Sequence, residues 1–136
     1  MLKAAAQLVD RELSELTDLL ERIESIGDEI LLDKKELVHL DEKRQSNREC
    51  IRSLTKLDGN SSIKKVYLNF AKTFVRLPVE KSKKLIEHDQ KIIAEEIDRV
   101  NNGLKEKLDT LYRLENRQDD LASTAAFKLR PVNEKL

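Results

Sequence analysis

Apolar residues recur at alternating intervals of three and four along most of this 136-residue chain, and no other feature restricts its folding as strongly. Val9, Leu16, Ile23, Ile30, Leu37 and Ile51 occupy one heptad position, and Leu19, Ile26, Leu40 and Leu54 occupy the other. Such a narrow seam predicts coiled-coil pairing rather than the broad apolar face of a globular helix. No proline interrupts the segment, whose lone glycine is Gly27, so one helix of roughly 80 Å is expected from about Ala4 to Leu57. Asp33, Arg44 and Asn47 are polar interruptions of the seam.

The cluster Asp58-Gly59-Asn60-Ser61-Ser62 reads as a helix stop, with Gly59 suited to a left-handed C-terminal cap. The next segment, Lys65 to Leu77, has a different chemistry. It holds Tyr67, Phe70 and Phe74, three of the chain's five aromatic residues, among β-branched ones. Val66, Leu68 and Phe70 alternate onto one face, and a second strand restarts at Phe74 or Val75 after a tight Ala71-Lys72 connection. The connection lacks Asn-Gly or Asp-Gly, so the turn type stays open. Two strands alone are marginal in water, so the hairpin must bury itself against something, and other subunits are the expected surface.

Pro78 closes the β stretch and opens a second helix, with Glu80 in its first turn. Ile86, Ile93, Ile97, Val100, Leu104, Leu108 and Leu111 repeat the rhythm to about Arg117, through Asn101-Asn102-Gly103. The expected organisation is a coiled-coil helix over 1–57, a loop and oligomerising hairpin over 58–77, a second helix over 78–120 and a flexible tail over 121–136. The fold class is mainly α, a long antiparallel coiled-coil hairpin with one β-hairpin between its helices.

Antiparallel return requires paired residue numbers to sum to about 135. Ile51 then meets Ile86, Leu40 comes near Ile93 and Ile97, Leu37 comes near Ile97 and Val100, and Ile30 meets Leu104. The polar residues Arg44 and Asn47 fall opposite Asp89-Gln90, which predicts a polar layer in which Asp89 contacts Arg44 or Asn47 and fixes the register. The alternative for Arg44 is a guanidinium that extends to solvent. The first helix outruns its partner, so Leu8, Val9, Leu13 and Leu16 at its tip form a candidate partner-binding surface, unless they pack on the tail around Phe127 or fray.

Composition narrows the function. Lys plus Arg and Asp plus Glu number 26 each, which argues against a dedicated nucleic-acid or membrane surface. No apolar run is long enough to cross a bilayer, and the N-terminus has no signal-peptide pattern. The lone Cys50 fits a reducing compartment, so cytoplasm or nucleus is expected. His39 and His88 lack a second ligand at helical spacing, no glycine-rich phosphate loop occurs, and the carboxylates are spread among Lys and Arg. No metal, cofactor or catalytic residue is expected, and the chain is not expected to be an enzyme. Lys34-Lys35, Lys43-Arg44 and Lys81-Lys83-Lys84 alternate with acids and read as solvated faces.

The order helix, β-hairpin, helix resembles a β-class prefoldin subunit. The run from Leu32 to Glu49, with Leu40, Asp41, Lys43, Arg44, Asn47, Arg48 and Glu49 in a Leu-Asp-x-Lys-Arg-x-x-Asn-Arg-Glu pattern, is similar to the signature of the DNA-damage-regulated, prefoldin-like protein family. Phe74-Val75-Arg76-Leu77-Pro78 and Ile86-Glu87-x-Asp89-Gln90 match in the same order. The resemblance spans about residues 28–117, with a loose Phe127-x-Leu129-x-Pro131 echo beyond.

That resemblance implies a non-catalytic co-chaperone subunit that assists folding and assembly of multi-subunit complexes. It further implies docking to prefoldin and prefoldin-like subunits through Val66, Leu68, Phe70, Phe74 and Val75, in a hetero-oligomer linked to a RuvB-like ATPase module. On its own the chain could self-associate through an unpaired hairpin edge. Two other readings remain: a subunit of ordinary hexameric prefoldin that binds unfolded polypeptides, and a plain coiled-coil dimerisation or tethering protein. The second of these would need no β segment.

Overall fold

The computed structural model of the chain describes residues 2–59, 62 and 64–128, with side chains described as far as residue 123. The elements run in the order α1 (Leu2–Asp58), β1 (Lys65–Phe70), β2 (Thr73–Pro78) and α2 (Val79–Lys128). The protein is therefore mainly helical, two long helices with an antiparallel β-hairpin between them, as the seam and the β-rich insert predict. The seam explains α1: Leu19, Ile30, Leu40 and Leu54 are buried, whereas Leu31, Leu32 and Val38, which lie off it, are exposed.

Two packing units divide the chain: α1 through Asp33 with α2 from Gly103 onward, and Lys34–Asn102. In the first unit Leu19, Ile30 and Leu114 are buried. Lys107 occupies a seam position of α2 there and donates a 2.8 Å hydrogen bond to Asp33 Oδ2, with Glu29 3.9 Å away. Asp33 thus interrupts the apolar seam because it holds an ammonium group from the other helix.

The second unit holds two apolar clusters. Leu40, Ile93 and Val100 form one, flanked by Leu37 and Ile97. This grouping agrees with antiparallel pairing at a residue sum near 135. Leu54, Leu68, Val79 and Ile86 form the other, with Cys50, Ile51, Val66 and Leu77 packed against it. This second cluster joins the hairpin to both helices. Ser82 is fully buried, and its hydroxyl oxygen has no hydrogen-bond partner among the described residues.

The hairpin register pairs Phe70 with Thr73, Leu68 with Val75 and Val66 with Leu77. A two-residue loop remains, Ala71-Lys72, and both residues have positive φ, 45° and 69°. That is the geometry of a type I′ turn, whose twist matches the strands. Neither residue is the glycine or asparagine such a turn favours, and each pays roughly 1 kcal/mol for the left-handed backbone. Replacing the pair by Asn-Gly (Ala71→Asn with Lys72→Gly) should therefore stabilise the hairpin by about 1–2 kcal/mol. A higher urea midpoint and slower amide exchange in β1 and β2 are expected; a lower midpoint would mean another turn is preferred.

Three boundaries differ from the sequence expectation. Gly59 does not take the left-handed cap, since none of the glycines has positive φ; the chain leaves α1 through a turn that any residue could adopt. Pro78 closes β2 as expected, its missing N–H facing away from the hairpin ladder, but α2 opens one residue later, at Val79. The second helix continues past Asp120 to Lys128. Heptad periodicity lapses there, but Ala122, Ala125 and Ala126 keep helix propensity high. The expected tail beyond Lys128 lies outside the described residues.

Candidate functional site: the hairpin and the polar layer beneath it

Alternation gives the hairpin two faces. Val66 and Leu68 of β1 point at the helices with their partners Leu77 and Val75. Lys65, Tyr67 and Asn69 point away with Pro78, Arg76 and Phe74. Leu68 is 8% exposed and sits against Leu54, Val79 and Ile86. The helices of this chain thus already cover part of the face that the sequence assigns to a subunit interface. Leu68 and Val66 are held in the chain's own core, while Phe70, Phe74 and Val75 are exposed. Phe74 at 71% and Tyr67 at 68% are the hairpin's most exposed apolar side chains. Tyr67, which the sequence reading left out of the interface, shares the outward face with Phe74. The missed signal was register: pairing Tyr67 with Arg76 places the guanidinium 6.0 Å from the ring centroid.

Beneath the hairpin tip lies an open cleft of about 450 Å³. Phe70 and Ile92 flank it, Leu40 and Ile93 contribute apolar surface, and Asn47 and Asp89 supply a polar end. Asn47 Nδ2 donates a 2.8 Å hydrogen bond to Asp89 Oδ2, the interhelical contact expected from opposed polar breaks. Gln90 Nε2 donates to the Arg44 backbone carbonyl at 3.2 Å. The Arg44 guanidinium instead pairs with Asp41 one turn back on its own helix. Arg44 Nε and Gln90 Oε1 are buried without hydrogen-bond partners among the described residues, so the layer is only partly satisfied there.

At the α1 tip, Leu8 and Leu13 are exposed, while Val9 and Leu16 are half-buried. Arg117 of α2 lines one cleft with Glu15, Asp18 and Leu19, in keeping with the same antiparallel register. The proposed packing of this tip on Phe127 lies outside the described side chains.

Two titratable groups among the described residues depart from their ordinary values. Burial pushes the Cys50 thiol above its ordinary value, which disfavours the nucleophilic thiolate. A hydrogen bond from Arg99 holds the half-buried Glu96 carboxyl below its usual range, an i,i+3 pair at the helix surface. His39 and His88 are exposed on helix faces. Among the described residues no three His, Cys, Asp or Glu side chains gather as a metal site, and no helix is long and apolar enough to cross a membrane.

Several known proteins similar to this chain share a name. A Bos taurus protein called p53 and DNA damage-regulated protein 1 is 34% identical over 112 residues, covering 82% of this chain and 80% of its own. The Homo sapiens protein of that name is 32% identical over 112 residues, with the same coverage. This chain belongs to the p53 and DNA damage-regulated protein 1 family. The Rattus norvegicus member aligns over 127 residues at 31% identity, 93% of this chain and 91% of its own. The family likeness therefore includes both helices and the hairpin, well beyond the signature around Leu40–Glu49. No family model matches the chain, and no solved structure does.

Proposed function

We propose that this member of the p53 and DNA damage-regulated protein 1 family is a non-catalytic, prefoldin-like subunit of a co-chaperone assembly. It docks to prefoldin and prefoldin-like subunits through its hairpin and assists folding and assembly of multi-subunit complexes in the cytoplasm or nucleus. A RuvB-like ATPase module is the further partner that the prefoldin-like resemblance implies for such an assembly. The observation that carries the reading is the hairpin itself. One of its faces is anchored on the helices by Leu68, and the other presents Tyr67 and Phe74 to solvent. Two strands with open edges and exposed aromatics are incomplete as a sheet, and addition of a partner strand completes them.

Mutation of the exposed ring tests this role. Phe74→Asp should weaken association with prefoldin-type subunits about thirtyfold or more, as loss of an aromatic anchor does. Helix content by circular dichroism should stay unchanged, because Phe74 is outside the core. Phe70→Asp should act in the same direction, with an added effect on the cleft it flanks. The reading would be wrong if the chain, purified from its own cells, brought no prefoldin-type subunit with it. It would also be wrong if association survived both changes. Recovery of only ordinary prefoldin subunits would favour the hexameric prefoldin that handles unfolded polypeptides.

A further inference from the structure

Charge is distributed unevenly in this neutral chain. From Gly59 to Val79 there is no acidic residue, but there are Lys64, Lys65, Lys72 and Arg76, four positive charges against none. All four are exposed. Lys65 and Arg76 share the outward face with Tyr67 and Phe74, so a basic, aromatic surface occupies one side of the hairpin.

The backbone pattern also makes the two edges unequal. In a hairpin closed by a two-residue loop, the flanking pair Phe70 and Thr73 exchanges hydrogen bonds, and alternate pairs repeat this. Leu68 with Val75 and Val66 with Leu77 then bond inward, and the next such pair has Val79 N donating to Lys64 O at 3.3 Å. The intervening residues turn their N–H and C=O groups outward. On β1 these are Lys65, Tyr67 and Asn69, an uninterrupted row. On β2 they are Phe74, Arg76 and Pro78, and the last has no N–H to offer.

We propose that the outer edge of β1 accepts an extended strand of a different polypeptide that carries acidic side chains, paired through the backbone of Lys65, Tyr67 and Asn69. Acidic residues on the outward face of that strand meet Lys65 and reach Arg76 across Tyr67, so charge complementarity selects the partner. A second copy of this chain is disfavoured as occupant, since its hairpin would bring four positive charges against four. This inference rests on the docking role proposed above and adds the partner's chemistry and the edge it uses.

The test uses the full chain and three fluorescent probes: a peptide alternating Glu with Val, the same peptide with Lys for Glu, and a single-stranded oligothymidine. The Glu peptide should bind, the Lys peptide should not, and binding should fall as salt rises. Tyr67→Pro removes an outward N–H without touching the intrachain ladder, and should weaken binding about tenfold beyond Tyr67→Ala, which keeps the amide. The double change Lys65→Glu with Arg76→Glu should reverse the preference between the two peptides, and it does not depend on the proline variant folding. Equal binding of both peptides, unchanged preference after charge reversal, or tighter binding of oligothymidine than of the Glu peptide would each overturn the inference. A charge-reversed chain that still co-purified with prefoldin-type subunits would overturn it while leaving the docking role intact. Failure of the wild-type chain to co-purify would remove the docking role instead.

Discussion

Leu54→Ala should destabilise the protein by about 2–5 kcal/mol, the range for deleting a buried leucine side chain. Leu54 is 3% exposed and touches the elements that meet at the hairpin base: Leu68 of β1, and Val79 and Ile86 of α2. The cavity left behind is bordered by strand and helix together, so neither can collapse into it alone. Hairpin anchoring should be lost with stability. Amide exchange in β1 and β2 should accelerate more than exchange around Leu19 and Leu114, which belong to the other packing unit. Val38→Ala on the same helix supplies the control, because Val38 is 60% exposed and its truncation should stay within about 0.5 kcal/mol. A urea denaturation series would decide the matter. A cost below about 1 kcal/mol for Leu54→Ala would mean that the hairpin is held elsewhere.

The same residue illustrates what the sequence makes visible. Leu54 falls on a heptad position whether or not a hairpin exists, so burial follows from spacing alone, as it does for Leu19 and Leu40. Spacing also sets Arg44 and Asn47 opposite Asp89-Gln90, because two polar breaks in opposed seams leave few other registers, but only the structure shows that Asn47 is the residue that bonds Asp89. It does not reveal that the hairpin folds back on the helices. An alternating strand announces an apolar face without naming its cover, and Leu68 could equally have met another subunit. Lys107 was overlooked for a related reason. A lysine among Leu104, Leu108 and Leu111 reads as a solvated flank until Asp33 is known to face it. The turn was illegible in a different sense: Ala71 and Lys72 adopt a backbone that their side chains disfavour, and only the strand register imposes it.

Asn47→Leu should cost about 1–3 kcal/mol even though it adds an apolar side chain at a seam position. Asp89 loses the donor that reaches it from the other helix, and its half-buried carboxylate is left facing an apolar side chain at the polar end of the cleft. The double change Asn47→Leu with Asp89→Leu should recover most of that loss, because removing both polar partners removes the desolvation penalty with them. The coupling between the two positions, read from the four denaturation curves, is thus expected to be large and favourable to the matched pairs. Greater stability in the double variant should come with weaker specification of pairing. With an apolar layer in place of the polar one, nothing at that level opposes a shifted register or pairing of α1 with another copy of itself. Sedimentation should therefore detect self-association of the double variant at concentrations where the wild-type helices still pair only with each other. If Asn47→Leu alone proved neutral, the hydrogen bond to Asp89 would be a surface contact with no part in fixing register. If both single changes were costly and the double variant stayed monomeric, register would be set by the apolar clusters and by the Lys107–Asp33 pair in the other unit.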